Sequence, residues 1–225
     1  MYKVDFKKDH LIGIVYVILF IIYAGILNYF SWADGVVEQL NPIYVISWIL
    51  LYLPFLYYSF FRKEKDWSIS DFGFVINYQV FITVAVYMIF IILNFELFSF
   101  KDWQSSGIEI FARTGEEVFF RGYLYVLLLR IFKYTEKPWV WAVLISSLAF
   151  AAVHTQTLLP DYGANMFDIF ILAIVLALLR KWTESLLPAI LIHVTLRTIF
   201  EADFFVVILS ITWYFIFVLL AYSRK

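Results

Sequence analysis

One stretch constrains this chain more than any other. From Arg113 to Tyr123 it reads Arg-Thr-Gly-Glu-Glu-Val-Phe-Phe-Arg-Gly-Tyr, inside an apolar run from about 108 to 132. A charged side chain at membrane depth costs about 2.5–3.5 kcal/mol on insertion scales. Such groups persist where they face a bundle interior, pair with one another or do chemistry. Membrane depth is the relevant setting here. The chain is 64% hydrophobic with a mean hydropathy of +0.85, against roughly 45–50% apolar for a soluble domain. The fold must therefore be a bundle that turns two carboxylates and two guanidiniums inward.

Apolar runs of near-spanning length fall at about 11–30, 43–61, 74–98, 108–132, 139–154, 166–180, 185–200 and 204–222. They predict an all-α, polytopic membrane helix bundle of about eight transmembrane helices, forming a single integral membrane domain over 1–225. The fifth to seventh runs are short. They span only if their flanks are helical or the bilayer thins around them. With the N-terminus inside, the basic residues gather on inner segments, such as Lys7 and Lys8, Arg62 and Lys63, Arg130 and Lys133, Arg180 and Lys181. Lys101 is the one basic residue in an outer loop. This asymmetry predicts both termini on the cytoplasmic side of the cell membrane. No small-residue cleavage site follows the first run, which reads as a retained helix. Trp32, Trp67, Trp103, Trp139 and Trp182 fall near helix ends and read as interfacial anchors. A net charge of -1 offers no basic face for nucleic acid. The absence of cysteine excludes disulfides, thiolate metal sites and a cysteine nucleophile.

Residues four apart share a helical face. Arg113, Glu117 and Arg121 are therefore expected to form one ion-pair ladder. Glu116 lies about 100° round the helix and is left as the carboxylate that can react. Gly115 and Gly122 flank the motif and permit close helix contact. The fifth run ends at His154, one turn after Phe150. The seventh carries His193, one turn before Arg197, with Pro188 expected to kink it. His10 reads as a solvated residue of the N-terminal tail. By the predicted topology Glu116, His154 and His193 lie at similar depth, so they can share one cavity. A carboxylate, two imidazoles and a guanidinium make a hydrolytic set. Glu116 with His154 can activate water, while His193 and Arg197 can stabilise an oxyanion. Alternatively Glu116, His154 and His193 can supply three ligands to Zn²⁺. No His-Glu-x-x-His motif is present, and the residues leave both routes open.

These motifs resemble those of the CPBP family, the intramembrane proteases grouped with type II CAAX prenyl endopeptidases and bacteriocin-processing or Abi proteins. The family pattern is Glu-Glu-x-x-x-Arg, then Phe-x-x-x-His, then His-x-x-x-Asn or Asp. Here it reads Glu116-Glu117-Val-Phe-Phe-Arg121, then Phe150-Ala-Ala-Val-His154, then His193 followed by Arg197. The resemblance covers about 108–200. It implies an intramembrane endopeptidase in which Glu116 and His154 activate water, His193 assists at the oxyanion, and Glu117 and Arg121 support the site. No metal is required by that reading, although the family is often labelled metalloprotease. Arg197 departs from the pattern. It can donate hydrogen bonds but is a permanent cation and a poor metal ligand. The implied substrate is a leader or signalling peptide, a membrane protein or a CAAX-like protein, and the compact chain resembles bacterial members. A non-catalytic immunity or scaffold protein on the same fold is the alternative.

Overall fold

The computed structural model describes residues 8–33, 42–61, 67–93, 103–159 and 165–195. Every regular element among them is helical. Helix α1 is Lys8–Ala33 and α2 is Pro42–Leu56, prolonged by a π-turn over Tyr57–Phe61. α3 is Tyr78–Leu93. α4, Trp103–Glu117, runs through a π-helical segment, Val118–Leu124, into α5, Tyr125–Ile131. α6 is Pro138–Val153, α7 is Met166–Thr183 and α8 is Leu187–Val194. Seven of the expected runs thus contain a described helix. The eighth, 204–222, lies outside the described residues, as does Arg197. Among the described residues one helix, His10–Phe30, is both long and apolar enough to cross a membrane.

The core follows from the central rod. All seven residues of the π-helical segment are buried, and α2 and α6 pack against it. Phe119 and Phe120 are fully buried beside Phe20 of α1. Outward-facing positions of α1 are apolar instead: Leu19, Ile22 and Ile26 are more than half exposed. A soluble helix would place polar groups there. Gly115 brings α4 against α2, where an added Cβ would meet the Tyr52 ring at 2.8 Å.

Several local expectations change. The third helix begins at Tyr78, not at 74. Residues before it form an irregular segment stitched to the α7–α8 junction. Leu186 N donates to Gly73 O at 2.7 Å, Ser185 Oγ to Val75 O at 2.6 Å, and Asn77 Nδ2 to Thr183 O at 2.7 Å. Those partners satisfy the backbone without a helix, so apolarity alone overextended the run. Trp67 is no exposed anchor. It is buried, stacked on Tyr58 at 4.4 Å, with the Arg130 guanidinium 4.0 Å over its ring. Trp139 carries the Lys181 ammonium at 4.1 Å. The side chains of Trp32 and Trp103 lie outside the described set. His10 is buried within α1, because the helix begins before it. Pro188 sits in the first turn of α8 and starts that helix instead of kinking it. A proline fits there because the first-turn N–H groups have no intrahelical partner.

Candidate active site

The two adjacent carboxylates of the motif face different environments. Glu117 closes α4 and is fully buried. Its Oε1 accepts from Arg121 Nη1 at 3.0 Å and from His193 Nδ1 at 2.7 Å. Arg121, also fully buried, donates through Nη2 to Ala173 O at 3.2 Å. Its guanidinium lies 4.2 Å over the Phe150 ring, a cation–π contact in a desolvated setting. The expected Arg113–Glu117–Arg121 ladder is therefore half formed. Arg113 pairs with Glu116 instead, its Nη1 reaching Oε1 at 2.9 Å and Oε2 at 3.2 Å. The reason is burial. Glu117 is drawn into the interior by a histidine and an arginine, while Arg113 keeps 30% of its side chain exposed and finds the carboxylate with 16% exposure. Helical spacing allows either pairing.

Glu116 is thus a held carboxylate at the rim of the interior. Its Oε2 lies 3.8 Å from His193 Nε2. It also lines a cavity of about 60 Å³ shared with His154, Asn28, Ser47, Phe120 and Leu51. That volume suffices for an ordered water, and Glu116, His154, Asn28 and Ser47 offer the polar partners a buried water needs.

The histidine tautomers follow from their partners. His154 caps the C-terminus of α6, and its Nδ1 lies 2.8 Å from Phe150 O. A carbonyl can only accept, so Nδ1 carries the proton and Nε2 of the neutral ring keeps a lone pair. His193 Nδ1 faces a carboxylate oxygen and likewise donates. Its ring is then fixed with Nε2 toward Glu116. Phe150 joins these parts. Its ring centroid is 4.5 Å from that of His154, 5.8 Å from that of His193 and 5.2 Å from that of Phe120.

The motif residues from α4, α6 and α8 therefore meet in one place. Among the described residues no group of three His, Asp and Glu side chains is set to hold a metal ion. Glu116 already gives both oxygens to Arg113. Sequence reasoning missed two polar residues of the cavity, Asn28 on α1 and Ser47 on α2. An asparagine inside an apolar spanning run was the available signal.

Described residues that are all-helical, with an apolar exterior around a carboxylate–imidazole–guanidinium set, define a membrane protein with the groups of a hydrolase. The family model described as Type II CAAX prenyl endopeptidase Rce1-like matches residues 103–199. The matched segment holds the Glu-Glu-x-x-x-Arg and both histidine motifs, and its similarity supports a CPBP/CAAX protease assignment for that part of the chain. No curated protein and no solved structure matches the chain.

Proposed function

We propose that the chain is an intramembrane endopeptidase that hydrolyses a peptide bond in a membrane-associated peptide or protein. The carrying observation is that Glu116 and His154 line one small cavity while His193 is aimed at Glu116 by Glu117. Water in that cavity is the nucleophile. Its oxygen attacks the scissile carbonyl as its proton passes to the Glu116 carboxylate or to His154 Nε2. The carbonyl π electrons move to oxygen. His193, held by the bond from its Nδ1–H to Glu117, assists at that oxyanion. Collapse of the tetrahedral intermediate breaks the C–N bond, and the proton taken from water goes to the leaving amine. Arg197, four residues beyond His193 in sequence, is a second donor for the oxyanion in this scheme.

The reading includes one membrane domain over 1–225, eight crossings, both termini on the cytoplasmic side and a bacterial plasma membrane. Charge asymmetry supports the orientation. Leader or signalling peptides are the preferred substrates over prenylated CAAX proteins. The reading requires no metal, so chelator should leave activity intact; loss with chelator and recovery with Zn²⁺ would instead point to Glu116, His154 and His193 as ligands of a catalytic zinc. Glu116→Gln and His154→Ala each abolish cleavage of a leader-peptide library while the protein still accumulates in membranes. Full cleavage by both variants would sink the catalytic reading. One observation favours the alternative of a non-catalytic immunity or scaffold protein: Arg113 binds both oxygens of Glu116. That alternative requires the two variants to keep the cellular phenotype.

A further inference from the structure

We propose that Asn28, on α1 and outside the family-matching segment, is a positioning residue for His154. The proposal rests on the peptidase reading and extends its site to the first helix.

The last carbonyls of a helix lack intrahelical donors, and at membrane depth water does not replace them. α6 meets this at its end in an unusual way. Phe150 O accepts from the His154 ring, and Ala151 O accepts from His154 N at 3.0 Å. Val153 O accepts from Asn28 Nδ2 at 2.6 Å. The Val153–His154 peptide plane is therefore gripped at both ends, its oxygen by α1 and its N–H by α6. The next residue is tied to the same helix, as Thr155 Oγ1 donates to Gly25 O. Gly25 makes room for that approach: a Cβ there would lie 3.3 Å from Thr155 Cγ2 and 3.4 Å from Ala152 O.

A peptide plane fixed in this way fixes Cα of His154, and the Nδ1 bond to Phe150 O then fixes the ring. Nε2 has little freedom left. Asn28 also lines the cavity that holds Glu116 and His154, so its amide is adjacent to the chemistry without being needed as base or acid. Misplacing a reacting group by about 1 Å can cost about 100-fold in rate. α1 packs along α6 and the turn that follows it, which makes the first helix part of the site and not a peripheral anchor.

The test uses the full-length protein in detergent and in liposomes. Asn28→Asp keeps the shape of the side chain but replaces the donor with an acceptor; Asn28→Ala removes both. With a quenched fluorescent peptide drawn from the leader library, kcat falls at least tenfold in each variant and KM stays within about twofold. Both variants are expected to melt below the parent, because Val153 O loses its donor, so kcat is compared at a temperature where each melting curve shows the protein folded. A second readout needs no turnover. With ¹⁵N-labelled histidine, the His154 ring signals, assigned by their loss in His154→Ala, shift or split in Asn28→Asp, while those of His10 stay in place. Unchanged His154 signals, or a wild-type kcat in both variants, overturn the proposal. Shifted signals in a protein that cleaves nothing uphold the positioning role and overturn the peptidase reading instead.

Discussion

His193 Nδ1 lies 2.7 Å from Glu117 Oε1, a contact between α8 and the last residue of α4. It divides the labour of two adjacent carboxylates. Glu117 serves as an internal anchor for one imidazole and one guanidinium. Glu116 stays at the cavity, where water can reach it.

The two glutamates should therefore differ in what their loss costs. Glu117→Gln leaves Arg121 buried without its counter-charge, and breaking one partner of a buried pair costs about 3–5 kcal/mol. Glu116→Gln disturbs a part-exposed pair with Arg113, for which about 1 kcal/mol or less is expected. Thermal denaturation in detergent should show a large drop for the first and a small one for the second. Equal drops would remove the distinction.

Replacing the interior pair as a unit should undo part of that damage. Glu117→Gln with Arg121→Met removes the stranded cation and keeps the volume filled. Its stability should exceed that of Glu117→Gln alone, because apolar replacement of a buried ion pair is often neutral or better. Activity should stay low even so, since the neutral amide oxygen that replaces the Glu117 carboxylate is a weaker acceptor for His193 Nδ1–H. A double variant less stable than Glu117→Gln would show that Arg121 matters chiefly through Phe150 and Ala173.

Phe150 touches both imidazoles and the Arg121 guanidinium. Phe150→Ala opens a cavity in a fully packed region and should cost about 3–5 kcal/mol. Phe150→Leu retains most of the volume but none of the ring contacts. It should lose activity by a larger factor than its small change in thermal midpoint explains. Peptide cleavage and melting measured on the same preparation decide this.

Gly73 has a φ of 94°, and a Cβ there would run into the Arg180 guanidinium. Gly73→Ala combines backbone strain with overpacking, a cost of about 1–3 kcal/mol. Its carbonyl also receives Leu186 N at the entrance to α8. The substitution should therefore loosen the helix that carries His193 and lower activity from the far side of the junction. Unchanged melting and cleavage would show that the segment before α3 bears no weight on α8.

The sequence alone determined the class of this protein. Runs of apolar residues dictate helices, because a backbone in hydrocarbon must satisfy its own hydrogen bonds. Charges set into those runs must turn inward, which singled out Glu116, Glu117, Arg121, His154 and His193 and fixed their order along the chain. Local spacing goes no further. It offered Arg113 two carboxylates, three and four residues on, and burial of Glu117 against His193 decided between them. It marked Trp67 as an anchor, whereas Tyr58 and Arg130, distant in sequence, made it interior. It left Asn28 unremarked, because the carbonyl that needs its amide lies 125 residues away at the end of α6. Helical periodicity reports which residues share a face. Only the packing of faces decides which polar groups meet, since each buried donor or acceptor must find a partner wherever the fold places one.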